Sequence, residues 1–161
     1  ITMSSSGETR LVGEVKQLSI VASGSGDVEA AKLQVANAII KSSGPGNVTI
    51  NTISASLKAD FSGSGDLEAE LKSAEKIEVN MSGPGSLTLE GSAKNLSALL
   101  SGSGDLHATS LILEHASVKV TGPGEAEVNV KSATSATTAN DKTNTGGSSR
   151  IVKIDRRGVV Q

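Results

Sequence analysis

The sequence predicts an all-β protein, a parallel β-helix (solenoid) with coils of about 20 residues. Three observations predict it: a motif repeated six times, apolar alternation with a period of two, and glycine and proline placements that forbid helices. The motif copies are Ser23-Gly24-Ser25-Gly26-Asp27-Val28, Ser43-Gly44-Pro45-Gly46-Asn47-Val48 and Ser62-Gly63-Ser64-Gly65-Asp66-Leu67. They continue as Ser82-Gly83-Pro84-Gly85-Ser86-Leu87, Ser101-Gly102-Ser103-Gly104-Asp105-Leu106 and Thr121-Gly122-Pro123-Gly124-Glu125-Ala126. Their first glycines step by 20, 19, 20, 19 and 20 residues. A fixed period of this length means stacked units, each burying its apolar face on its neighbours.

Taken in order, residues 1–17 read as an N-terminal cap or decayed coil, with Ser6-Gly7-Glu8 as the remnant of a seventh motif. Residues 18–131 form the repeat body of a single 161-residue domain. Leu18, Ile20 and Ala22 alternate with polar neighbours before the first turn. Leu57, Ala59 and Phe61 do so before the third, and Ala116, Val118 and Val120 before the sixth. A second inward pair follows each turn, as in Val28 and Ala30 or Val48 and Ile50. A third pair appears in some units, such as Leu33 and Val35 or Leu111 and Leu113. Side chains two apart share a face of a strand, so each coil holds two or three short strands. Phe61, Leu67, Val79, Leu87, Leu96, Leu100 and Leu106 hold the inward phase and are expected inside. Residues 132–161 read as an atypical C-terminal coil or cap. A Ser/Thr/Ala/Asn-rich run over 132–149 precedes Ile151, Val152, Ile154, Val159 and Val160. Arg150, Lys153, Arg156 and Arg157 suit a cap, because charge discourages edge-to-edge stacking. With one further coil from the remnant motif, about seven coils would make a rod about 34 Å long.

The structural turns are Gly24, Gly26, Asp27, Gly44, Gly46, Gly63, Gly65, Asp66, Gly83, Gly85, Gly102, Gly104, Asp105, Gly122 and Gly124. In a helix each glycine would cost about 1 kcal/mol and each proline about 3. In a corner, glycine permits positive φ and close approach of stacked backbones. Pro45, Pro84 and Pro123 fit where no ladder hydrogen bond is donated, and the serine before each pair can bond locally. Ser and Pro alternate between the glycines, so a coil of 39 residues holding two units is the alternative. That coil would stack Asp27, Asp66 and Asp105 about 4.8 Å apart, a repulsion of about 1 kcal/mol per pair in water. A 20-residue coil interleaves Asn47 and Ser86 and is favoured, although Glu125 still follows Asp105.

Composition excludes several functions. The net charge of −2 and the single aromatic, Phe61, give neither an electrostatic footprint nor a stacking platform for nucleic acid. Without cysteine there is no disulfide framework and no thiolate metal site. No run approaches the roughly 18 apolar residues of a transmembrane segment. Ile1 stands where an initiator Met would, so a removed upstream segment is expected.

The recurrent SGSGDL and SGPGSL units resemble the auto-transporter adhesin, head GIN domain family of bacterial exported proteins. The resemblance covers residues 1 to about 130, with departures at the middle prolines, Ser86 and Glu125. It implies a right-handed parallel β-helix, export to the periplasm or cell surface, an adhesion role, and no established catalytic residues.

Chemical candidates are few. Asp27, Asp66 and Asp105 could ligate calcium, but alternate motifs lack the aspartate, so they read as turn formers bonding their own backbone. No metal site and no cofactor are expected. A nucleotide cradle needs a helix after the glycines, and none follows. His107 and His115 fall on outward positions and read as solvated. Lys58 with Asp60, or Lys72 with Glu70, could serve a lyase groove, but alternating charge is the ordinary face of an exposed strand. The expectation is a noncatalytic exported structural or adhesion-type module presenting a polar solenoid surface to an unidentified envelope partner, with homo-oligomers compatible with it. The alternative is a carbohydrate-binding or polysaccharide lyase-like β-helix. The lack of Trp and Tyr for sugar stacking counts against it.

Overall fold

In the computed structural model, residues 1–4, 6–131, 150–155 and 158–160 are described. They contain no helix. The strands are β1 (Thr2–Met3), β2 (Thr9–Ala22), β3 (Val28–Ser42), β4 (Val48–Phe61), β5 (Leu67–Met81), β6 (Leu87–Leu100), β7 (Leu106–Val120), β8 (Ala126–Val130), β9 (Arg150–Asp155) and β10 (Gly158–Val160). Each pairs with its sequence neighbours, in chain order and without a crossover.

From β1 to β8 every pairing is parallel, and partners lie 19 or 20 residues apart over most of each strand. Val28, Val48, Leu67, Leu87, Leu106 and Ala126 make one vertical column. Leu18, Ala38, Leu57, Ile77, Leu96 and Ala116 make another. The coil is therefore about 20 residues, and the 39-residue coil is excluded. Each of β2 to β7 winds once around the axis, giving about six turns rather than the seven expected. The shortfall is at the N-terminal end, where β1 covers only Val21 and Ala22 of β2. The parallel stack is then about 29 Å long.

Within a coil the inward residues come in three runs. In β3 these are Val28 and Ala30, then Leu33 and Val35, then Ala38, Ile40 and Ser42. The register shifts that separate the first two runs, between Ala30 and Val35 in this strand, mark the corner between them. All seven residues expected inside are buried, and Leu87, Leu100 and Leu106 have no exposed surface. Phe61, the one aromatic, lies in register over Ser42, with Ala22 in the next coil down. Above it the column continues with Met81 and Leu100.

At the C-terminal end the stack changes sense. β9 pairs antiparallel with β8, and β10 folds back antiparallel on β9. This hairpin covers the last coil with Ile154, which is fully buried. Lys153 holds it to the coil through Glu125 at 2.5 Å and Glu127 at 3.6 Å. Residues 132–149, Arg156 and Arg157 lie outside the described residues.

Candidate functional site

The repeated turn is the first candidate, and its glycines are there for proximity rather than for φ. Positive φ occurs at Gly13, Thr52, Ser73 and Gly91, none of them in a Gly-x-Gly turn. A Cβ at Gly63 would instead fall 2.0 Å from the carbonyl oxygen of Gly44, and one at Gly65 2.0 Å from that of Gly46. The same crowding recurs up the column to Gly122 and Gly124. Gly7, between β1 and β2, meets nothing within 4 Å. No close neighbour demands a glycine there.

The aspartates bond the next coil rather than their own backbone. Asp27 Oδ1 accepts from the N–H of Asn47 at 2.7 Å, and Asn47 Oδ1 from the N–H of Asp66 at 3.0 Å. Asp66 Oδ1 accepts from the N–H of Ser86 at 2.8 Å, and Asp105 Oδ1 from that of Glu125 at 2.9 Å. Asn serves as well as Asp, because the task is only to accept a hydrogen bond. The turn interrupts the strand ladder at that N–H, and the side chain below supplies an acceptor. The serines also reach between coils. Ser62, Ser82 and Ser101 hydroxyls donate to carbonyls one coil back at 3.4–3.5 Å, the weak end of hydrogen bonding. These groups link one coil to the next. Among the described residues no three His, Cys, Asp or Glu residues are grouped to hold a metal ion.

The outer faces hold the remaining candidates. His107 and His115 are exposed, and His107 Nδ1 lies 4.0 Å from Glu127 Oε2. Lys58 does not pair with Asp60. It meets Glu78 one coil up at 3.5 Å, and Glu78 also pairs with Lys76. The hydrogen bond and charge of Lys76 hold the Glu78 carboxyl below the ordinary glutamate range. Lys153 is held above the ordinary lysine range by the hydrogen bond and charge of Glu125, aided by Glu127. Lys72 and Glu70 make no ion pair. Ion pairs at this exposure are worth little each, so this is a screened polar surface.

Two grooves lie on the outer face of the third run of each coil. The larger, about 570 Å³, passes over Asn37, Ile39, Ser56, Lys58 and Glu78. The other, about 390 Å³, runs beside the turns and takes in Lys41, Asp60, Asn80 and the row Ser43, Ser62, Ser82 and Ser101. In the second groove Asn80 Nδ2 donates to Asp60 Oδ1 at 2.8 Å. Sequence reading missed both grooves. Their walls come from residues 19 or 20 positions apart, and only the register brings them together.

The fold and its outer faces define a class: a parallel β-solenoid whose turn residues meet the coil next to them and whose exposed columns form open grooves. More particularly, the family model described as "Putative auto-transporter adhesin, head GIN domain" matches residues 1–70 and 53–141, and the chain belongs to that family. The two overlapping matches reflect the internal repeat. No curated protein and no solved structure matches the chain.

Proposed function

We propose that this chain is a noncatalytic, exported adhesion-type module that works in the bacterial periplasm or at the cell surface. The observation that carries the reading is family membership over residues 1–141. The surface fits it. On the third run, Gln17, Asn37, Ser56, Lys76, Asn95 and His115 form one outward column, and Ser19, Ile39, Lys58, Glu78, Ser97 and Ser117 the next. A ligand lying along such columns makes many similar weak contacts. Affinity then rises with the number of modules that act together. The turn Gly, Ser and Asp residues are structural in this reading, and neither cofactor nor metal takes part.

The experiment compares the single domain with a multimer of it for binding to bacterial and host cell surfaces. The multimer is expected to bind at least tenfold more tightly than the monomer. Failure of the multimer to bind any surface removes the adhesion reading. Turnover of a polysaccharide that one Lys, Asp or Glu substitution abolishes replaces it with the lyase-like one.

A further inference from the structure

We propose that the groove beside the turn column binds a linear polysaccharide laid along the solenoid axis, with about one pyranose unit per coil. This rests on the adhesion reading and names its ligand class. The groove touches five consecutive coils, from Val21 through Lys41, Asp60 and Asn80 to Leu99 and Ser101. One wall is the hydroxyl row Ser43, Ser62, Ser82 and Ser101, repeating about every 4.8 Å. Three of these hydroxyls make only long bonds to backbone carbonyls, so they can accept from a ligand and exchange partners at little cost.

The other wall carries a preorganised polar pair. The 2.8 Å bond from Asn80 to Asp60 occupies one carboxylate oxygen and fixes both side chains. It leaves Asp60 Oδ2 and Asn80 Oδ1 to accept hydrogen bonds. One coil below, the Lys41 ammonium makes no ion pair among the described residues and supplies donors. Val21 and Leu99, 39% and 42% exposed, give apolar shelves toward the two ends. A matching ligand donates and accepts at every step and carries a C–H face. It also advances by about one coil step per unit. A hydroxyl-bearing pyranose chain meets all these requirements.

A peptide strand does not. β3 to β6, which carry most of the groove, are each paired on both sides through the third run, so the groove has no free edge there for a strand to join. A polyanion is not selected either, because Lys41 is balanced by Asp60. With no aromatic to stack on, each sugar contributes little, and affinity must come from length.

The test titrates the whole 161-residue chain by calorimetry. The probes are linear oligomers of two to eight units of three neutral sugars, glucose, mannose and N-acetylglucosamine. At least one series is expected to bind, with affinity rising per unit up to about five units, the number of coils the groove touches, and level beyond. Asp60→Ala and Asn80→Ala should each weaken binding at least tenfold, at a melting temperature unchanged within about 2 °C. Glu68→Ala, on another face, should leave binding unchanged. No binding at millimolar oligomer overturns the proposal. So does binding that ignores length, or binding that survives both groove substitutions. If the multimerised D60A/N80A double variant still binds cells as the parent does, the groove assignment fails and the adhesion reading stands. If the parent multimer binds no cell, the adhesion reading itself fails.

Discussion

Adding a single methyl at Gly63 tests what the repeated glycines do. In Gly63→Ala the new Cβ would stand 2.0 Å from the Gly44 carbonyl oxygen, where ordinary contact begins near 3.4 Å. The two coils must part there by about 1.4 Å, the difference of those distances. The adjacent bond, Ser62 N–H to the Ser42 carbonyl at 2.9 Å, cannot survive that separation. Losing one or two ladder bonds costs about 1 kcal/mol each, and overpacking adds about 1–3 kcal/mol. The sum, about 2–5 kcal/mol, is a large share of the 5–15 kcal/mol typical of a domain. For a chain of this size it should lower the melting temperature by about 10 °C. The control is Gly7→Ala, where a Cβ meets nothing within 4 Å and φ is not positive. Thermal melting followed by far-ultraviolet circular dichroism reads both. If Gly63→Ala melts within about 2 °C of both the parent and Gly7→Ala, close stacking is not why the glycines are there.

Further outcomes follow from other positions. Leu87→Asp places a carboxylate where no surface is exposed and should cost several kcal/mol, so a melt within about 2 °C of the parent would contradict the inward phase. Ser42→Ala should raise stability by about 1 kcal/mol, because the buried Ser42 hydroxyl has no hydrogen-bond partner. A destabilised variant in chemical denaturation would show that the hydroxyl has one. The Glu78 carboxyl is held low by Lys76, so its contribution is present above the ordinary glutamate range and fades as pH falls through the lower folded value. Carbon-detected NMR should show Glu78 titrating lower in the parent than in Lys76→Met, and identical titrations would refute the pairing. Millimolar calcium should leave the melting temperature unchanged; a rise of many degrees, reversed by chelator, would place an ion on the aspartate column.

The interior was legible in the sequence because period two fixes the phase. Once Leu87 and Leu89 are inward, Thr88 and Glu90 cannot be. The glycine positions were legible, but their reason was not. Positive φ and a missing Cβ both select glycine, and only the coil above shows which applies. Thr52 and Ser73 take positive φ at other corners, where nothing in their residue type announces it. The aspartates were expected to bond locally because turn statistics concern neighbours in sequence. Their actual partners lie 20 residues on. The groove was hidden for the same reason. Asp60 and Asn80 look unrelated until a 20-residue coil sets one over the other.

The direction of the hydrogen bonds decides how this rod bears tension. Described chain ends lie at opposite ends of the stack, with β1 on the first coil and β10 beyond the last. The inter-coil bonds therefore run along the line of pull. Force applied through the ends loads the terminal bonds first and peels one coil at a time, rather than shearing a whole sheet at once. Each coil of about 20 residues releases about 65 Å of extended chain when it comes away. A tether of this kind yields early and lengthens in nearly equal steps. Single-molecule pulling should resolve the steps as a low, regular sawtooth.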